Sequence, residues 1–285
     1  MGSSKLRDYA ELVKFEHTVF ALPFALASVL LLAERIPSLW KVGWIVVALV
    51  SARTLGMALN RLIDEPYDRL NPRTRNWPLV SGRVSPSEVR KLILISGALF
   101  LLSALMINRL AFLLSPLVIL LLWIYPYTKR FTHFPHLFLG AVYLLIPVAV
   151  DVALNASVSL NALLLGVAMA SWVSGFDVLY ALQDYEFDRR HGLKSVPVRF
   201  GIGGALRFAR VSHLITFVSL LLLGLRHPQM GSVYLLGLLL LSGFLIYEHS
   251  LIKPHDLSKI NRAFFTVNGY VSIVFFLTVL ADRIL

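Results

Sequence analysis

No cysteine occurs in the 285 residues, which excludes disulfides and thiolate-held metals from the start. Charge is scarce as well. Asp, Glu, Lys and Arg make up 15% of the chain, against about 25% in soluble domains. The apolar–polar alternation that marks a membrane β-barrel strand over about ten residues is also missing. What is present is apolar: 57% of the residues are hydrophobic, in long blocks such as "VGWIVVALVSARTLGMALN" and "LLSPLVILLLWIY". A helix crossing a hydrocarbon core of about 30 Å needs roughly 20 such residues. The composition predicts an all-α integral membrane protein, a single transmembrane domain over residues 1–285. Nine spans are expected, near 17–34, 40–60, 92–108, 110–126, 136–154, 160–181, 208–225, 230–247 and 264–282.

A net charge of +11 raises nucleic acid as a partner, and the charge distribution argues against it. With nine spans, most of the 27 Lys and Arg fall in the N-terminus and in the loops after spans 2, 4, 6 and 8. That asymmetry is the positive-inside pattern. It predicts a multi-pass protein of the cell membrane with the N-terminus and those four loops in the cytoplasm. The first apolar block runs too long for a cleavable signal peptide and lacks a small-residue cleavage site. Residues 4–16, "SKLRDYAELVKFE", read as a short amphipathic helix lying at the membrane interface, the alternative being a frayed tail.

Charge gathers where span 2 meets water, in "NRLIDEPYDRLNPRTR", residues 60–75. Asp64 and Asp68 stand one turn apart, and Asn60 lies one turn before them. The loop after span 6 opens "YALQDYEFDRRHGLKSVPVRFG". There Asp184 and Asp188 repeat the spacing, Tyr180 stands where Asn60 stood, and Arg189 follows as Arg69 did. Four intervening spans return the chain to the same side, so both copies meet the same water. On a helix, a spacing of four puts two carboxylates on one face, about 5–6 Å apart at Cβ, where they repel. One such pair is ordinary solvated charge; two matched copies on one side call for a cation. Carboxylates and an amide are oxygen donors and suit Mg²⁺ rather than Zn²⁺. Mg²⁺ is commonly held by one or two carboxylates plus substrate phosphate, and the nearby Lys and Arg suit the remaining phosphate charge.

"NRLIDEPYD", followed by "NPRT" and later "SGRVS", closely resembles the first signature of the UbiA superfamily of intramembrane prenyltransferases. "YALQDYEFDRRHGLKSVPVRFG" resembles the second, and "YPYTKRFTHFPH" at 125–136 looks like the basic loop after the fourth helix. "KFEHTVFALPFAL" at 14–26 is similar to the start of the 4-hydroxybenzoate polyprenyltransferase branch. The resemblance is specific in the two acidic motifs and mostly compositional over the last three spans. It implies nine transmembrane helices around a central cavity, capped by cytoplasmic loops after helices 2 and 6. Two features depart from the pattern. Pro66 sits between Asp64 and Asp68, where a proline removes a hydrogen bond and is expected to leave Asp68 past the helix end. Trp77 and Val80 stand where the family more often has Arg and Pro.

The resemblance implies Mg²⁺-dependent transfer of a polyprenyl group from polyprenyl diphosphate to a small aromatic acceptor, 4-hydroxybenzoate, in quinone biosynthesis. Dihydroxynaphthoate, homogentisate and glycerol-phosphate ether lipid precursors are the alternative acceptors. Asn60, Asp64 and Asp68 are assigned to one Mg²⁺, and Asp184 and Asp188 to a second. Lys129, Arg130 and Lys194 are assigned to the diphosphate, with Arg61, Arg69 and Arg189 as weaker candidates. Arg53 lies about two turns deeper than Asn60 on the same face. A charge at that depth costs several kcal/mol without a partner or cavity. It either holds the acceptor carboxylate or pairs with a buried acid, Asp151 or Asp177. Tyr127 and Tyr180 are candidates to shield the carbocation by cation–π contact. Asp177 is a candidate proton acceptor. His17, His133 and His136 lack ligand spacing and are read as interfacial. No obligate protein partner is implied. An ion-coupled transporter is the competing class, because Arg53, Asp151 and Asp177 lie within spans. Acids gathered at one water boundary fit a midplane transport site poorly.

Overall fold

The computed structural model describes residues 2–15, 18–35 and 37–285; His17 lies outside them. The described residues form helices joined by short loops, with one isolated bridge, Lys253 to Asp256, in place of any strand. Among the described residues, eight helices are long and apolar enough to cross a membrane: Leu39–Asp68, Pro86–Ile107, Arg109–Phe131, Pro135–Asn155, Leu160–Arg190, Val196–Arg226, Ser232–Leu251 and Arg262–Ile284. The remaining expected span is the 15-residue apolar helix Thr18–Leu32. Apolar side chains on these helices stand exposed, Leu94, Leu113, Leu236 and Ile246 among them. That surface would precipitate in water and is at home in lipid, so the chain is a multi-pass membrane protein.

Two span starts fall well before expectation for one reason: polar caps, not hydrophobicity, start the helices. α4 (Pro86–Ile107) begins before the apolar run of 92–108. Ser85 caps it, Glu88 returns a bond to the Ser85 N–H at 2.7 Å, and Pro86 takes the first position. α5 (Arg109–Ile124) is capped by Asn108 Oδ1, which accepts from the Ala111 N–H at 2.8 Å. α10 (Val196–Arg226) starts at the Ser195 cap, well before the expected 208, and is broken at Gly201, whose φ of 69° glycine adopts without strain.

The chain divides into two compact units, Met1–Thr18 with Ser38–Tyr127, and Val19–Pro37 with Thr128–Leu285. In the first, α1 (Gly2–Leu12) is a formed helix rather than a frayed tail. Its Leu12 is buried in a cluster with Ala58, Leu79, Val84 and Val89. Its polar side is tied to the chain leading into α4. Arg83 donates to Asp8 at 2.6 Å and forks onto both oxygens of Glu11 at 2.8 and 2.9 Å, while Lys5 reaches Glu88 at 3.0 Å. α3 (Leu39–Asp68) packs along α4. Gly56 lets Leu122 of α5 approach so closely that a Cβ there would lie 2.9 Å from its methyl.

The Arg83 hydrogen bonds hold the Glu11 carboxyl below the usual carboxylate range. A carboxylate whose folded pKa is lowered contributes docking energy above its ordinary value of about 4.3, and loses it as pH falls through the lowered one. A fluorophore on Leu6→Cys, unique in a chain without cysteine, is expected to lose anisotropy as pH drops below about 4. Glu11→Gln is expected to show reduced anisotropy already at pH 7.

The second unit contains α2 (Thr18–Leu32) and everything from α6 (Thr128–Phe131) onward. α7 (Pro135–Asn155) and α8 (Leu160–Ala181) form a tight antiparallel pair. Gly166, Ala170 and Ser174 recur one turn apart on α8, the small-residue stripe that lets membrane helices close in. A Cβ on Gly140 of α7 would meet Ser174 Oγ at 2.3 Å and the Ala170 carbonyl at 2.7 Å. Phe24 of α2 stacks on Trp172 at 5.7 Å and on Phe275 at 4.7 Å. Trp172 Nε1 donates to Asn268 Oδ1, and Asn268 Nδ2 donates to Glu248 Oε1, both at 2.8 Å. This buried chain links α8 to α11 (Ser232–Leu251) and α12 (Asn268–Ile284), which is entered through a π-helical turn, Arg262–Val267.

Candidate functional site

In the first unit, α3 carries Arg53, Asn60, Asp64 and Asp68 at intervals that keep one face, as the spacing predicts. Asn60 Nδ2 donates to Asp64 Oδ2 at 3.0 Å. Asp64 is 4% exposed and Asp68 9%. Two carboxylates this enclosed on one face cost free energy unless positive charge answers them. Arg53 is half-buried further into the span. Tyr127 ends the 3₁₀ turn Tyr125–Tyr127 and meets Trp123 edge-on at 5.8 Å.

Pro66 does not release Asp68 from the helix: α3 runs through the proline, and Asp68 is its last residue. The missing N–H deletes one bond in the final turn, while Arg69 N–H still reaches Glu65 O at 3.1 Å. The chain after Asp68 is then pinned. The buried Thr74 hydroxyl donates to the Asp68 carbonyl at 2.9 Å, and Asn71 Oδ1 accepts from the Arg73 N–H at 2.9 Å.

Trp77, the departure from the family pattern, sets the place of Arg61. Its indole lies 3.7 Å from the Arg61 guanidinium, with Lys14 at 5.1 Å and Arg73 at 5.5 Å. Arg61 Nε donates to Leu12 O at 3.2 Å, and the residue is buried. Its guanidinium thus serves α1 and the Trp77 face. Arg69 is exposed and pairs with Glu65, and Arg189 pairs with Glu186 at 3.4 Å with both side chains in solvent. Such pairs contribute little, about 0–1 kcal/mol.

In the second unit, the Asp184–Asp188 pair is not on one continuous helix as expected. α8 ends at Ala181, a 3₁₀ turn covers Leu182–Asp184, and Asp188 lies on α9 (Tyr185–Arg190). The tighter turn, three residues instead of 3.6, rotates Asp188 away from the position a straight α-helix would give it. Leu182 is buried at the junction. Both acids are half-buried.

The basic residues gather by backbone bonds. Gly192 takes a φ of 70° and turns the chain, so that Leu193 N–H reaches Asp188 O at 2.9 Å and Lys194 N–H reaches Lys129 O at 2.7 Å. Lys194 Nζ donates to Phe131 O at 3.3 Å. Lys129, Lys194 and Asp188 are therefore held on adjoining strands of backbone, with Arg130 beside Lys129 and exposed. Tyr180 lies with its ring centroid 4.1 Å from Phe264, which meets Phe176 at 5.3 Å, and Phe176 meets Trp172 at 5.2 Å. A wall of π-faces thus lines α8 up to Asp184.

Among the described residues, no three His, Cys, Asp or Glu side chains are grouped to hold a metal by themselves. Each acidic motif offers two carboxylates, the first with an amide adjoining. That donor set fits Mg²⁺ whose remaining positions are taken by water and substrate phosphate.

Asp151 and Asp177, weighed as partners for Arg53, have local partners. Asp151 accepts from Asn155 Nδ2 at 2.7 Å and from Ser159 N–H at 2.6 Å, fixing the turn into α8. Asp177 lies 2.6 Å from His136 Nδ1. His136, read as interfacial, is buried. The sequence signal for this pair is their near-equal distance from the short loop between α7 and α8, which brings them side by side in an antiparallel hairpin.

Residues 21–277 match the model of the UbiA prenyltransferase family. The chain is 32% identical over 99% of its length to a 4-hydroxybenzoate octaprenyltransferase of Shewanella loihica, of which it covers 98%. It is 33% identical over 85% of its length to the enzyme of that name from Citrobacter koseri, covering 83% of it. A solved structure of a UbiA homolog from Aeropyrum pernix K1, 33% identical, aligns over 94% of this chain and 98% of its own with a TM-score of 0.84. A UbiA homolog from Archaeoglobus fulgidus bound to DMAPP and Mg²⁺, 21% identical, shares the fold with a TM-score of 0.75 over 98% of this chain and 99% of its own.

Proposed function

The chain belongs to the UbiA prenyltransferase family, and on that premise we propose that it transfers a polyprenyl group from polyprenyl diphosphate to 4-hydroxybenzoate in quinone biosynthesis. The enzyme class, prenyltransferase, follows from the family and its curated members. One observation carries the choice of acceptor: the near end-to-end similarity to relatives named for 4-hydroxybenzoate.

In this reading Asn60, Asp64 and Asp68 hold one Mg²⁺, and Asp184 and Asp188 a second. When bound, Mg²⁺ supplies electrostatic stabilisation of the departing diphosphate. Lys129, Arg130 and Lys194 take up the charge that grows on the diphosphate oxygens as the allylic C1–O bond breaks, a gain realised mainly in the transition state. The rings of Tyr127 and Tyr180 present π-faces to the allylic cation. The ring carbon beside the phenol then attacks C1. The positive-inside bias supports a cytoplasmic position for these loops and the N-terminus.

Arg53 binds the acceptor carboxylate, fixing the ring at the depth of the cation. A hydrogen-bonded charge pair contributes about 1.5–3 kcal/mol, so Arg53→Leu is expected to raise KM for 4-hydroxybenzoate by about 10- to 100-fold with KM for the prenyl diphosphate unchanged. The reading as a whole is tested with purified protein, Mg²⁺ and geranyl diphosphate against a panel of acceptors. 4-Hydroxybenzoate is expected to be prenylated fastest. Preference for dihydroxynaphthoate, homogentisate or a glycerol-phosphate ether would overturn it.

A further inference from the structure

We propose that His136, oriented by Asp177, is the base that removes the ring proton after prenyl transfer; the proposal rests on the aromatic-acceptor reading above. His136 stands in the first turn of α7 and Asp177 in the last turns of α8. The two side chains meet at 2.6 Å through Nδ1 and Oδ2. A carboxylate accepts, so Nδ1 carries the proton, and in the neutral ring Nε2 keeps the lone pair. Nε2 is buried and has no hydrogen-bond partner. A buried nitrogen left unpaired costs about 1–3 kcal/mol.

The surroundings hold this ring in place. Ser174 Oγ donates to the His136 carbonyl at 3.0 Å, one turn before Asp177. Gly140, one turn after His136, lets α7 and α8 touch with no room for a Cβ. The location also fits. Asp177 and Tyr180 stand three residues apart on α8, so the dyad shares a face with the cation-facing ring, and Asp184 follows in the 3₁₀ turn after the helix. Asp177 keeps 21% of its side chain exposed and His136 5%.

The step balances as follows. The prenyl C1 accepts the ring electron pair as diphosphate leaves with the electrons of the C1–O bond. The attacked ring carbon is now tetrahedral and still carries its hydrogen. Nε2 takes that proton, and the C–H electrons restore the aromatic ring. The imidazolium formed is balanced by the Asp177 carboxylate until it releases its proton to water.

The test is a kinetic isotope effect with 4-hydroxybenzoate deuterated at both positions beside the phenol. With the base in place, proton loss follows C–C bond formation quickly, and wild type is expected to show no primary effect. In His136→Gln, loss of general base catalysis is expected to lower kcat by about 100-fold and to bring out a primary isotope effect. Asp177→Asn, which offers an amide where Nδ1 needs an acceptor, is expected to show the same effect in weaker form and decides the matter alone should His136→Gln fail to fold. Folded variants with lowered kcat and no isotope effect would assign the dyad to structure and overturn the proposal, as would wild-type kcat in both. A wild type that prenylates no aromatic acceptor would instead overturn the functional reading beneath it.

Discussion

Asp64→Asn and Asp184→Asn are each expected to lower prenyl transfer by about 100- to 1,000-fold, the range for removing one preorganised electrostatic contact to a transition state. Asparagine is the informative substitution at position 64. The carboxylate there accepts from Asn60 Nδ2 at 3.0 Å in a buried setting. Alanine would strand that amide at a cost of about 1–3 kcal/mol, and lost activity would then be confounded with lost stability. An amide keeps an oxygen toward Asn60 and removes the charge. Position 184 is half-buried on a 3₁₀ turn, and asparagine keeps the shape of the side chain there as well. The double variant separates two mechanisms. If both acids serve one diphosphate, the second substitution costs much less than the first, because the site is already broken. If each motif serves a different ligand, the two losses multiply. Retained activity in both single variants, at unchanged thermal stability in detergent, would reject the assignment of these acids.

The same residues show what could be read before any coordinates. The first acidic motif was legible because four-residue spacing at a span end is a local property; the second was not, because a 3₁₀ turn ends at Asp184 and a new helix carries Asp188. The spans were legible because a bilayer imposes length and composition, with little dependence on tertiary contacts. Helix starts were less so: the Ser85, Asn108 and Ser195 caps act through single hydrogen bonds that a hydropathy reading averages away. Pro66 misled because its penalty presumes a helix interior with further bonds to lose, whereas it sits two residues from the end of α3. The docking of α1 was hidden because Arg83 and its partners Asp8 and Glu11 are far apart in sequence and each looks like an ordinary surface charge. Trp77 looked like a missing arginine, and only coordinates show that it gathers Arg61, Lys14 and Arg73 on one ring. His136 and Asp177 pair across a helical hairpin, so no spacing rule within one helix could connect them.

Removal of divalent cations is the second change expected to abolish the reaction. Chelator is expected to reduce product formation at least about 100-fold, since the diphosphate must leave against its own negative charge and Lys129, Arg130 and Lys194 answer only part of it. Restoration should distinguish the cation. Mg²⁺ prefers octahedral oxygen at about 2.0–2.1 Å, whereas Ca²⁺ takes six to eight ligands at about 2.3–2.6 Å. Ca²⁺ is therefore expected to occupy the acids at longer, less regular distances and to restore little. The concentration dependence carries further information. If two Mg²⁺ act, one at each motif, activity rises more steeply than a single-site curve. Asp184→Asn should then shift the midpoint to higher Mg²⁺, and the residual activity should regain a single-site shape because the first motif alone is titrated. Product formed equally in chelator would remove metal from the mechanism. The buried, mutually repelling Asp64 and Asp68 would then need their countercharge from the protein's own arginines and lysines, and the same two aspartates would become structural anchors whose replacement by asparagine costs stability rather than rate.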